Sequence, residues 1–224
     1  MERSAKRVAM KRVVVTGSEC TGKTTLAGDL ARQFGTVWVA EYAREYLDRK
    51  VATTGLPLDE SDVEPIARGQ IAAEDRGAAL AKDLLVLDTD LVSTTVYARH
   101  YYGACPAWIE QAARDRRADL YLLCDIDVPW VADSVRDRPH HREPIHALFV
   151  DALEALGARY VTLRGPWPDR LATAGTAVSL GRRGAACLGF RTADLVLMLQ
   201  TTNQQSKGKV QAPEAQAERQ VVQP

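Results

Sequence analysis

The chain has 224 residues, in which 29 lysines and arginines balance 29 aspartates and glutamates. That length suits one core domain with an appendage, and the zero net charge gives no bulk electrostatic case for a nucleic-acid or membrane partner. No segment approaches the ~20 apolar residues that span a bilayer. The basic start leads only into the short apolar run 13–15, too short for a secretion signal. Cys20, Cys105, Cys124 and Cys187 are scattered, without metal-ligand or disulfide spacing. A cytoplasmic protein is expected, with no nucleic-acid or membrane partner.

In chain order, strand-like runs fall at residues 12–16, 37–40, 84–88, 120–125 and 159–163. Several are continuously apolar, as suits strands buried on both faces of a parallel sheet. Helix-favouring stretches fall at 23–34, 41–50, 61–82, 91–102, 107–116, 130–135, 143–156 and 168–178. The alternation implies βαβ units: an α/β protein in three layers, α/β/α, around a five-stranded, mostly parallel sheet. A core domain over 1–180 is expected. Residues 181–224 read as an irregular to disordered tail, because 201–224 is polar and lacks aromatic residues.

The most specific local signal is Gly17-Ser18-Glu19-Cys20-Thr21-Gly22-Lys23-Thr24, followed by Thr25. It matches G-x-x-x-x-G-K-T between a strand and a helix, the context in which backbone N–H groups wrap phosphates. The helix N-terminus adds positive charge, Lys23 suits the β- and γ-phosphates, and the Thr24 hydroxyl suits Mg²⁺. The segment therefore predicts ATP and Mg²⁺ as ligands. Cys20 reads as a small filler within the loop.

Three carboxylates stand at strand ends, where doubly wound sheets bind ligands. Asp88 ends an apolar run of the kind whose aspartate holds the Mg²⁺ shell. Asp90 reads either as a helix cap or as a substrate contact. Glu41 and Arg44 read either as a surface ion-pair cluster or as a general base with a substrate-binding guanidinium beside it. Arg136 and Arg138, in the charged loop after the fourth strand, suit a lid over the transferring phosphoryl group, the alternative being a solvated loop. Tyr42, Tyr102 and Trp108 are candidates to stack on a flat substrate ring. Trp38 and Trp130 read as packing residues.

The combination of GSECTGKTTL at 17–26, EYAREY at 41–46 and DTD at 88–90 resembles the ribosylnicotinamide kinase domain of NadR-type proteins. Tyr101-Tyr102-Gly103, Trp130-Val131-Ala132-Asp133 and Pro168-Asp169-Arg170 extend the resemblance, which covers about residues 10–175. It implies a P-loop kinase fold and transfer of phosphate from ATP to the 5′-hydroxyl of nicotinamide riboside. NadR-type proteins carry an upstream adenylyltransferase domain, which the few residues ahead of the first strand do not provide for. The other readings are a kinase of another nucleoside and a regulatory P-loop protein that is not a kinase. A small nucleoside is the expected partner, and a homo-oligomer is compatible with the sequence.

Overall fold

A computed structural model describes residues 11–128 and 142–182. The predicted helix at 130–135, the lid arginines Arg136 and Arg138, and nearly all of the tail expected from 181 onward lie outside the described residues.

The chain starts with strand β1 (Lys11–Thr16), helix α1 (Lys23–Phe34), strand β2 (Trp38–Val39) and helix α2 (Tyr42–Thr54). A 3-10 turn (Glu60–Asp62) leads into α3 (Val63–Leu80), followed by β3 (Leu84–Asp88), α4 (Leu91–Tyr102) and α5 (Ala107–Asp115). Then come β4 (Leu120–Cys124), α6 (Arg142–Ala155), β5 (Tyr160–Leu163) and α7 (Trp167–Arg182).

The predicted elements recur with shifted ends. The stretch expected to be helical from 61 starts as the 3-10 turn, because Asp59 and Asp62 cap each other's backbone N–H groups there. Pro65, which lacks an N–H, then falls within the first turn of α3, where that donor is not needed. α7 continues past the predicted end at 178 to Arg182, whose guanidinium pairs with Asp83 ahead of β3. The expected boundary at 180 therefore falls inside a helix.

Among the described residues all strand pairings are parallel, in the order β2-β3-β1-β4-β5. β3 and β4 are buried along their whole length, which explains their unbroken apolar sequences. Side chains alternate between faces. Val14, Leu85, Leu87, Tyr121 and Leu123 join a core with residues of α3, α4, α5 and α6. The opposite face receives α1, whose Leu26, Ala27, Leu30 and Ala31 are buried at helical spacing, and α7 packs against α1. Trp38 departs from its reading as a packing residue: at the sheet edge it is 38% exposed.

β1 lies between β3 and β4, so the chain runs to opposite sides of it and leaves a crevice at the carboxyl ends of the strands. Register brings the ends together. Val15 pairs with Asp88, Thr16 with Leu123, and Val39 with Leu87. The P-loop, Asp88 and Glu41 thus leave the sheet along one edge.

Candidate active site

The loop between β1 and α1 is held from beneath and from the side. A Cβ on Gly17 would stand 2.7 Å from the carbonyl oxygen of Cys124, so the loop crosses directly over the end of β4. The Thr21 hydroxyl donates to the Ser18 carbonyl at 2.9 Å, tying the turn to itself. Gly22 caps α1 with φ 82°, left-handed backbone that favours glycine. No side chain caps α1, so its first N–H groups stay available to an anion. Ser18 and Thr21 are buried, Glu19, Cys20 and Lys23 are half-buried, and Gly22, Thr24 and Thr25 are exposed on the side where α1 begins.

Lys23 donates to the Ser18 carbonyl at 2.8 Å, folded back over its own loop. The Thr24 hydroxyl donates to Asp88 Oδ2 at 2.6 Å. A hydroxyl and a carboxylate oxygen are hard donors. Mg²⁺ in such sites takes only one or two protein ligands and fills the rest with water and phosphate. The pair therefore fits Mg²⁺, even though no cluster of three acidic, cysteine or histidine ligands exists among the described residues.

Asp88 is followed by Thr89, which holds φ 66°, an uncommon conformation for a β-branched residue. Its N–H donates to the Val15 carbonyl at 2.9 Å. Asp90 is the N-cap of α4: its Oδ1 accepts from the Val92 N–H at 3.0 Å and its Oδ2 from the Tyr121 hydroxyl at 2.9 Å. Burial, together with the charge of Glu74, pushes its carboxyl up to about 7. Both oxygens of Asp90 are thus engaged within the protein.

Glu41 is the N-cap of α2, half-buried, and makes no capping hydrogen bond. Arg44 is half-buried one turn on. Tyr42 lays its ring on α3 at Gly69, where a Cβ would stand 1.8 Å from Cε1. Tyr42 and Tyr46 are tilted against each other at 6.4 Å, with the Arg49 guanidinium 5.5 Å from the Tyr42 ring centre.

Beside them is a charged cluster that sequence reasoning missed. Tyr46 donates to Asp62 at 3.0 Å, and Lys50 pairs with Asp62 at 2.5 Å and Asp59 at 2.7 Å. Burial works to raise the Asp62 carboxyl, but Lys50, the Asp59 N–H and the Tyr46 hydroxyl overcome it and hold it below its ordinary range. Tyr102 belongs to the same neighbourhood: burial raises its phenol, and the charges of Asp59 and Asp62 add to this. Trp108 sits under Arg68 of α3, 4.5 Å from guanidinium carbon to ring centre, and packs against the core.

Two further residues were not singled out individually. The Trp167 ring lies against Gly22. Arg170 is fully buried and donates to the carbonyls of Gly165 and Asp125 and to the Asp127 carboxylate, so the start of α7 is stapled to the end of β4. A buried arginine with carbonyl partners gives no local sequence signal, and Pro168-Asp169-Arg170 was noted only through the family resemblance.

Comparison with known proteins agrees with this geometry. Residues 12–170 match the AAA domain family AAA_28. Over 154 residues the chain is 30% identical to the trifunctional NAD biosynthesis/regulator protein NadR of Escherichia coli K12, a stretch covering 68% of this chain and 38% of that protein. The chain therefore spans well under half the length of this curated relative. A crystal structure of NadR protein in complex with NR superposes with a TM-score of 0.65 at 27% identity, covering 78% of this chain and 50% of that one. Thymidylate kinase from Ehrlichia chaffeensis shares the fold, with a TM-score of 0.57 at 15% identity over 77% of this chain and 98% of that one. Among the described residues no helix is long and apolar enough to cross a membrane.

Proposed function

Because the chain belongs to the AAA domain family of P-loop proteins, we propose that it is a cytoplasmic ATP-dependent kinase that phosphorylates the 5′-hydroxyl of nicotinamide riboside, giving nicotinamide mononucleotide. The observation that carries the reading is the Thr24–Asp88 pair at 2.6 Å beside Lys23, one strand away from Glu41. Nucleotide machinery and an acceptor-side carboxylate then share one sheet edge. The choice of nucleoside is supported by the likeness to NadR in complex with NR.

In this reading the phosphates of ATP lie in the loop 17–24. Lys23 exchanges its bond to the Ser18 carbonyl for the β- and γ-phosphates, and that buried carbonyl keeps the Thr21 hydroxyl as its donor. Thr24 and Asp88 would hold Mg²⁺, which would supply charge neutralisation for the phosphates. The 5′-oxygen attacks the γ-phosphorus, the bond to the β-phosphate oxygen breaks, and ADP leaves. Glu41 orients the hydroxyl and takes its proton, a role typically worth ~10²–10⁴-fold. Arg44 binds the substrate, and Tyr42, Tyr102 and Trp108 meet the ring. A pyridinium ring carries a positive charge, and the acidic residues Asp59 and Asp62 beside Tyr46 and Tyr102 suit it.

The test is ADP release with ATP and a panel of nucleosides, comparing wild type with Glu41→Gln. Nicotinamide riboside is expected to give the highest kcat/KM, and Glu41→Gln to lose roughly a hundredfold in kcat while still binding ATP. A higher kcat/KM for thymidine or deoxyadenosine would replace the substrate. ADP release that no nucleoside stimulates would replace kinase with regulatory nucleotide binding.

A further inference from the structure

Three strand ends must keep a fixed spacing if Glu41 is to work on a hydroxyl brought to the γ-phosphate. Two of them, β1 and β3, are paired to within a residue of their ends, Val15 facing Asp88 and the Thr89 N–H donating to the Val15 carbonyl. β2 is different. It is only two residues long, lies at the sheet edge, and pairs with β3 through Trp38 and Val39, with one bond before them from the Val86 N–H to the Val37 carbonyl. Ladder hydrogen bonds therefore stop short of Glu41. The Glu41 side chain makes no capping bond to α2, and α2 has no fully buried residue. Something other than the sheet has to fix the Glu41–Tyr42 peptide.

Gln70 of α3 does so. It is 3% exposed, and its side-chain amide joins two strand ends. Its Oε1 accepts from the N–H of Tyr42, the amide directly after Glu41, at 3.1 Å. Its Nε2 donates to the carbonyl of Thr89, directly after Asp88, at 3.4 Å, and to Glu74 Oε1 at 3.2 Å.

The orientation of the amide is also determined. An amide could be turned end for end, but Glu74 is buried against two guanidinium groups, Arg12 of β1 and Arg116, which both engage its Oε2. So held, Glu74 is a carboxylate that only accepts. Its Oε1 therefore draws the NH₂ end of Gln70, and the carbonyl end is left for Tyr42. The same NH₂ group steadies Thr89, whose φ of 66° needs support from its surroundings.

We infer that Gln70 is a positioning residue for phosphoryl transfer, a bridge that sets the Glu41 peptide against the Asp88–Thr89 strand end, with Glu74 fixing its direction. The inference rests on the reading of Glu41 as the base at the acceptor hydroxyl. Gln70 touches neither nucleotide nor acceptor in this role; it acts through Glu41.

The experiment is a double-variant cycle with full-length protein, ATP and nicotinamide riboside. Gln70→Met keeps the length of the side chain and removes all three of its bonds. Gln70→Asn, one methylene shorter, is the second variant should the first not fold. The expected result is a fall in kcat of roughly tenfold to a hundredfold, the scale on which a ~1 Å displacement acts, with the KM for ATP unchanged. In a Glu41→Gln background the same change at Gln70 should cause little further loss. A wild-type kcat in both Gln70 variants, or an equally large loss in the Glu41→Gln background, overturns the positioning role while leaving Glu41 as the base. If Glu41→Gln alone is as fast as wild type, the reading of Glu41 falls and the inference with it.

Discussion

The Trp167 ring lies against Gly22, so close that a Cβ added at position 22 would stand 2.9 Å from its Cζ3. Residues 145 positions apart thus wall the phosphate loop, one at the start of α1 and the other at the start of α7. Gly22→Ala meets two obstacles, the φ of 82° and the indole. A left-handed conformation costs an L-residue ~1–2 kcal/mol before any collision is counted. The expected outcome is a lower melting temperature and at least about tenfold weaker binding of a non-hydrolysable ATP analogue, read by calorimetry. Adding Trp167→Leu should recover part of the stability, since it removes the collision and leaves the backbone strain. Wild-type binding by Gly22→Ala would mean that the ring does not press on the loop.

Asp88→Asn tests the metal. The variant keeps an acceptor for the Thr24 hydroxyl, so the fold should survive, but it loses the negative charge. Groups that merely support metal ligands account for ~10–100-fold in metal affinity, so a direct ligand should move the Mg²⁺ concentration for half-maximal turnover by at least that much. A Mg²⁺ titration of ADP release checks this. An unshifted titration removes Asp88 from the metal site.

Gly69→Ala tests how Tyr42 is seated. A Cβ there would fall 1.8 Å from the Tyr42 ring, which cannot be absorbed without moving either the ring or α3. The expected cost is ~1–3 kcal/mol of stability, as for overpacking elsewhere, together with a higher KM for the nucleoside and an unchanged KM for ATP. Gly69→Ala together with Tyr42→Ala should melt higher than Gly69→Ala alone, because the collision is gone.

The Lys50, Asp59 and Asp62 cluster predicts a pH dependence. Lys50, assisted by Ser61, holds the Asp59 carboxyl at about 2, below the ~3.9 of an unfolded aspartate. A depressed carboxyl contributes stability that is present above pH ~4 and is lost as the pH falls toward 2. Lys50 itself is shifted upward by the two carboxylates, so its contribution persists until strongly alkaline pH. Lys50→Met should therefore melt below wild type between pH 5 and 9, by a roughly constant margin. That margin should narrow between pH ~4 and 2 as the wild type loses the interaction too. Thermal melts across this range check it, and a constant margin down to pH 2 would contradict it.

Much of the fold was legible because its signals are contiguous. β3 and β4 are continuous apolar runs, α1 carries Leu26 and Leu30 one turn apart, and the loop 17–24 holds all of its phosphate-binding chemistry in one stretch. Asp88 was legible for the same reason, as the acidic end of an apolar strand. The ends of α3 and α7 were misjudged where a cap or an ion pair decided them, Asp59 with Asp62 in one case and Arg182 with Asp83 in the other.

By itself the sequence determined the α/β alternation, the P-loop with its hydroxyl and lysine, and the acidic strand ends, since each depends on neighbours within a few residues. Only the tertiary structure decided which strand lies beside which, and with that what the buried polar side chains are for. Sheet order follows from the paths of the crossovers over the whole domain: β1 takes β3 and β4 as neighbours and leaves β2 at the edge. That order brings Gln70 between Tyr42 and Thr89, puts Glu74 between Arg12 and Arg116, and sets Trp167 on Gly22. Each is a contact between residues far apart in the chain, where a glutamine or a tryptophan looks like any other until packing removes water from around it and leaves its partners no alternative.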